Sequence, residues 1–212
     1  MKRSSVVGDK PACGLRGFTV IEARLREIGA RVEELTRTEA GCRGKSHAGE
    51  GARATLRRVE MDITWVTDRI AVGGGIWNAE NMAAAARAGI THVIDMQIEF
   101  DDTPLAEPYG IEVCWNPIDD DFEPKPAAVF ARGVEFALAA LEDDQAKLFV
   151  HCAAGVHRAP MMTLALLAVL GWPLEDAMNL IEGRRPAADF AEVYVRSVEN
   201  FLRGRESVRV SE

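Results

Sequence analysis

Cys152 and Arg158 stand six positions apart in the stretch FVHCAAGVHRAP, residues 149–160. Two apolar residues lead into His151 and Cys152. Ala153, Ala154, Gly155, Val156 and His157 intervene, and Arg158-Ala159-Pro160 then opens a long apolar run. Small residues and a glycine let successive backbone N–H groups turn inward, making a nest for an anion. Arg158 is a planar donor that can hold two phosphate oxygens at once. A helix starting beside it points its positive end at the same spot, and Pro160 suits the first turn of such a helix. That field also favours Cys152 as a thiolate, the nucleophilic form. A phosphate held in this loop would sit above a sulfur placed for in-line attack.

Such a loop needs a strand before it and a helix after it, and the flanking sequence supplies both. From Met61 the chain alternates: ITWVT and RIAVG read as short strands, and Asn78 caps a helix that Gly89 stops. ITHVIDMQ reads as a strand, DDTPLAEPYG as a loop, IEVCWN as a strand, and PIDDDFEPKP as an acidic, proline-rich loop. An amphipathic helix over 127–142, the buried strand KLFVH, and helices near 159–170, 173–184 and 188–203 complete the chain. The fold class expected is α/β. A central, mostly parallel or mixed sheet of about four to five strands is flanked by helices, and its central strand delivers Cys152 at its C-terminal edge.

Residues 1–60 differ. VIEARLREIGARVEELTR, residues 20–37, predicts an amphipathic helix, set between Gly-, Ala-, Ser- and charge-rich stretches that read as partly flexible linker. These 60 residues carry 13 Lys and Arg against 8 Asp and Glu, whereas the whole chain has a net charge of −8. A basic extension (1–60) therefore precedes an acidic domain (61–212). GCRGKS is not a phosphate-binding Walker loop, because Gly41 and Gly44 are too close together. The acidic body predicts no nucleic-acid partner. MMTLALLAVLGW, the longest apolar run, is too short to span a membrane, and the N-terminus shows no secretory signal, so a cytoplasmic protein is expected. Cys13, Cys42, Cys114 and Cys152 and the four histidines show no zinc-ligand spacing, and neither a metal nor another cofactor is expected. Cys114 reads as a small buried strand residue, with a redox partnership with Cys152 as the alternative.

The His-Cys, five residues, Arg signature resembles that of the dual-specificity branch of the cysteine-dependent protein tyrosine phosphatases. The similarity extends over RIAVGG, NAENMAAAARAGITHVIDMQIE, WNPIDDD and AMNLIEGRRP, in the family's order. The resemblance implies a phosphomonoester hydrolase working through a phosphocysteine, with a phosphorylated protein or other phosphomonoester as its partner. Cys152 would be the nucleophile, residues 153–158 the phosphate cradle, and His151 a supporting residue. Asp119, Asp120 and Asp121 all lie in the loop that supplies the general acid, and aligning Pro117-Ile118 with the family's loop puts Asp120 in the catalytic place. His157 touches substrate or points to solvent. Arg184 and Arg185 either steer anionic substrates or close a helix, the second being preferred. Ala159 departs from the usual serine or threonine and is similar to the Arg-Ala-Pro loop of glucan phosphatases. Phosphoglucan hydrolysis is therefore an alternative substrate reading, and a catalytically weak phosphate-binding module an alternative function. A rhodanese-type sulfurtransferase is disfavoured by the acidic loop.

Overall fold

The computed structural model describes residues 61–210, so the helix expected at 20–37 lies outside the described residues. Five strands form one sheet: β1 (Ile63–Trp65), β2 (Ile70–Gly73), β3 (His92–Asp95), β4 (Glu112–Trp115) and β5 (Leu148–His151), in the order β1-β2-β5-β3-β4. Only β1 is antiparallel to its neighbour. The mostly parallel sheet matches the sequence expectation, and β5 is its central strand. All four β5 residues are buried, as befits a strand covered on both faces by helices.

Among the described residues, six helices flank the sheet: α1 (Ala79–Arg87), α2 (Thr103–Ala106), α3 (Ala127–Leu141), α4 (Arg158–Val169), α5 (Leu174–Arg184) and α6 (Glu192–Val210). Asn78 caps α1 as its sequence position predicts, its side chain accepting from the Asn81 amide at 2.9 Å. On the α1 side, Ile76, Met82, Ala85 and Ile90 pack with Ala71, Val93 and Phe149. α4 is buried continuously from Arg158 to Leu167 and packs against α3, α5 and α6. This all-round burial explains why its sequence is an apolar run rather than an amphipathic stripe.

Two differences from the expected elements bear on the site. DDTPLAEPYG, expected as a loop, contains α2 and a following 3-10 turn, Glu107–Tyr109. Pro104 and Pro108 each sit in a first helical turn, where a missing N–H costs nothing. The last helix begins at Glu192 rather than near 188, because the preceding segment is engaged elsewhere: the Asp189 amide bonds the Val156 carbonyl at 2.8 Å.

Candidate active site

β5 ends at His151 and the chain turns at once into the loop 152–157, so Cys152 sits at the C-terminal edge of the sheet, 1% exposed. The Gly155 amide points back at Cys152 Sγ, 3.2 Å away. Gly155 has φ +65°, and a Cβ there would lie 2.5 Å from the Gly73 carbonyl. The loop therefore needs glycine at this position both for its backbone angle and for the approach of β2. α4 starts at Arg158 with no side-chain cap from His157, and its amino end adjoins the Cys152 loop. That end carries the helix's positive partial charge.

The loop's outer face is clamped. Arg185 is buried, its Nε donating to the Gly155 carbonyl at 2.7 Å and its Nη2 to the Ala154 carbonyl at 3.2 Å. It also makes a two-pronged pair with Asp62, at 2.7 and 2.6 Å, and donates to Thr64 Oγ1 at 3.2 Å. This corrects the reading of Arg185 as a helix-closing charge: it draws the loop carbonyls outward, which leaves the amides free to face an anion. Arg185 holds the Asp62 carboxyl below its ordinary range.

Arg158 points back across the top of the sheet. Its Nη1 and Nη2 donate to the two carboxylate oxygens of Glu99 at 2.9 and 2.8 Å, and Nη1 also reaches the Ile118 carbonyl at 3.0 Å. The hydrogen bond from Arg158 holds the Glu99 carboxyl below its usual range, so the pair is charged on both sides. Arg158 Nε is buried with no hydrogen-bond partner among the described residues and lies 3.8 Å from Asp120 Oδ2.

Of the three loop aspartates, Asp120 is the one brought to Arg158. Its Oδ1 accepts from the Tyr194 hydroxyl at 2.9 Å, and its Oδ2 lies 3.0 Å from His157 Nδ1. Asp119 Oδ1 accepts from the Asp120 amide, and Asp121 pairs with Lys125; both shape the loop. Tyr194 also takes the Phe122 amide at 2.9 Å and stacks on the Phe122 ring. This anchorage accompanies a left-handed backbone at Phe122, φ 57°, which costs about 1 kcal/mol or more for a residue with a side chain. Burial, opposed by the Phe122 amide and reinforced by Asp120, pushes the Tyr194 phenol up to about 12, so it remains a donor at neutral pH.

His151 lies behind the nucleophile, fully buried. Its ring stacks on Phe149 and its Nε2 lies 3.0 Å from Asp102 Oδ2, so it braces the strand end against α2 rather than bonding the loop. Asp95 is 3.8 Å from the same nitrogen, and burial, with the nearby Asp102 charge, pushes its carboxyl up to about 8. The native protein thus keeps a proton on Asp95 that the unfolded chain releases above about pH 4. The contribution of Asp95 to stability is greatest below that pH and falls as pH rises towards about 8, by up to about 1.4 kcal/mol per pH unit. Asp95→Asn is expected to flatten the urea midpoint between pH 5 and 8; an unchanged slope would contradict the buried-proton assignment.

Cys114 is half-buried on β4, two strands from β5. At the usual strand spacing that separates it from Cys152 by roughly 10 Å, too far for a disulfide, which disposes of the redox partnership. Sequence reasoning passed over Glu99, Tyr194, Asp189 and the clamping role of Arg185. Tyr194 reads as an ordinary core aromatic of an amphipathic helix, and Glu99 lies in no recognisable spacing.

Comparison with known proteins gives the chain its family and its fold relatives. Residues 76–202 match the family model described as the dual specificity phosphatase, catalytic domain. Protein-tyrosine-phosphatase IBR5 of Arabidopsis thaliana is 31% identical over 64 residues, 30% of this chain and 25% of that relative. Protein tyrosine phosphatase type IVA 3 of Mus musculus is 34% identical over 102 residues, 47% of this chain and 58% of that one. The chain thus spans a quarter to somewhat over half the length of these relatives. Among solved structures, PTPMT1 in complex with PI(5)P superposes with a TM-score of 0.62 at 19% identity, covering 69% of this chain and 98% of that one. Human DUSP28 gives 0.57 at 19% identity, covering 70% and 97%. At such identity these two likenesses concern the fold.

Proposed function

We propose a specific activity for this chain from the premise that it belongs to the dual specificity phosphatase family: it hydrolyses phosphomonoesters on protein side chains through a phosphocysteine. The observation that carries the reading is the convergence of Cys152 Sγ, the Gly155 amide, the unpartnered Arg158 Nε and Asp120 Oδ2 on one face of the sheet's C-terminal edge. In the first step Cys152 Sγ attacks phosphorus, the S–P bond forms, and the P–O bond to the leaving group breaks as Asp120 protonates that oxygen. The loop amides and Arg158 hold the charge on the equatorial oxygens. In the second step water attacks phosphorus, its proton passes to Asp120, and the S–P bond breaks to return the thiolate.

The residues bordering the loop favour a protein substrate. Glu99, Asp120 and Asp189 are acidic and Phe122 is an exposed aromatic, and the loop carries no lysine. That border disfavours a headgroup bearing several phosphates. A thiolate nucleophile requires a reducing compartment, and the cytoplasm is the proposed location. No helix among the described residues is long and apolar enough to cross a membrane.

Ala159, fully buried, supports a second reading. With no hydroxyl beside Arg158, breakdown of the phosphocysteine is the step left with less support, which favours a slow enzyme that retains phosphate. The test is release of 4-nitrophenol from 4-nitrophenyl phosphate by the full chain, in EDTA with a reductant. Sustained turnover is expected. A stoichiometric burst without turnover selects the phosphate-retaining reading, and no release by folded protein overturns the hydrolase.

A further inference from the structure

His157 is the residue of the phosphate loop whose surroundings the two-step mechanism leaves unexplained. It lies between two carboxylates: Nδ1 is 3.0 Å from Asp120 Oδ2, and Nε2 is 3.2 Å from Asp189 Oδ2. Its ring is fixed by the Phe122 edge at 5.0 Å and lies 6.3 Å from Tyr194. Asp189 is itself held, its amide bonding the Val156 carbonyl of the same loop. The side chains of Asp120, His157 and Asp189 are 29%, 18% and 65% exposed, so His157 is the most enclosed member of the line and Asp189 its solvent end.

The polarity of this line follows from the partners. An Asp189 carboxylate only accepts, so His157 Nε2 carries a hydrogen. Nδ1 is then either a bare acceptor facing a protonated Asp120 or, in the imidazolium, a donor to an Asp120 carboxylate. Both states hold the same single proton between Oδ2 and Nδ1. At Asp120's other oxygen, Tyr194 donates, which leaves Oδ2 as the oxygen that exchanges the proton. Oδ2 is also the oxygen facing Arg158 Nε.

We propose that His157 is a positioning residue that shares the catalytic proton with Asp120, with Asp189 fixing its tautomer and orientation. It rests on the phosphatase reading and adds a second holder for the proton that the leaving group takes. When the P–O bond breaks, Oδ2 gives its proton to the leaving oxygen; where the proton resides on Nδ1, it passes first to Oδ2. The attacking water later returns one proton to the Asp120–His157 pair, so the cycle balances. The shared proton matters most where the leaving oxygen is strongly basic, and a poor leaving group is therefore the substrate on which it is read.

The experiment compares phenyl phosphate, whose phenol resembles the tyrosine side chain, with 4-nitrophenyl phosphate, whose leaving group departs without much protonation. The two are assayed with wild type, His157→Asn and Asp189→Asn. His157→Asn is expected to lower kcat/KM for phenyl phosphate by about 100-fold and for 4-nitrophenyl phosphate by no more than about 5-fold. Asp189→Asn, at an exposed position, is expected to shift the ratio in the same direction by roughly 5- to 10-fold, and it serves as the readout should His157→Asn fail to fold. Equal losses on both substrates, or no loss on either, would overturn proton sharing while leaving the phosphatase reading intact. Absence of any turnover by wild type would remove both.

Discussion

Cys152→Ser is expected to reduce steady-state hydrolysis of 4-nitrophenyl phosphate by roughly 10⁴-fold or more while leaving the protein folded and able to bind phosphate. The reason lies in what surrounds the sulfur. Cys152 is 1% exposed, at the end of the buried strand β5, with the Gly155 amide donating to Sγ and the amino end of α4 beside it. A cysteine attacks as its thiolate. A serine oxygen accepts the same hydrogen bond, but it stays protonated in that field, and as the leaving atom of the second step it is far poorer than a thiolate. The proposed phosphate cradle consists of backbone amides and Arg158; the substitution meets only the Gly155 amide, whose hydrogen bond the serine oxygen can still accept. Two measurements separate chemistry from binding. Acid-quenched wild type should carry the added mass of one phosphoryl group during turnover, and the variant should not. The variant should still bind a phosphopeptide with an affinity near that of wild type. Residual turnover within tenfold of wild type would place the nucleophile elsewhere.

What the sequence made legible, and what it did not, divides by distance along the chain. Residues 148–169 read correctly because the strand, the loop of small residues and the apolar helix are consecutive, and each constrains the next. Asn78 as a cap and Gly155 as the loop's turning residue are local in the same sense. The order β1-β2-β5-β3-β4 was open, since hydrophobic alternation marks a strand without naming its neighbours. The contacts that equip the site are remote: Glu99 reaches Arg158 across 59 positions, Tyr194 reaches Asp120 across 74, and Arg185 reaches Asp62 across 123. No spacing rule carries such pairs. Arg185 misled because a basic residue near a helix terminus has a sufficient local explanation in the helix dipole. Nothing local announces that its guanidinium turns inward onto the loop carbonyls.

The same remoteness decides the second large effect, at Arg158. Arg158→Lys is expected to lower kcat/KM for 4-nitrophenyl phosphate by about 10³-fold, through both kcat and KM, although it preserves the charge. The guanidinium does three things from one plane. It spans both oxygens of Glu99 at 2.9 and 2.8 Å, takes the Ile118 carbonyl at 3.0 Å, and keeps Nε turned towards Asp120 and the pocket. The Ile118 bond matters because it ties the arginine to the loop that carries Asp120, so the proposed phosphate-holding and proton-delivering groups are set by one side chain. A lysine ammonium is a compact donor without the planar fork; anchored on Glu99 it cannot also span the Ile118 carbonyl and present a fixed N–H to the phosphate, and freed from Glu99 it leaves a carboxylate beside an arriving dianion. Glu99→Gln provides the contrast. Its amide oxygen still accepts one guanidinium bond, so the arginine keeps its place, and a loss of only about 10-fold is expected. If Arg158→Lys stayed within threefold of wild type, Arg158 would be a structural partner of Glu99 and no longer the group that holds the reacting phosphate.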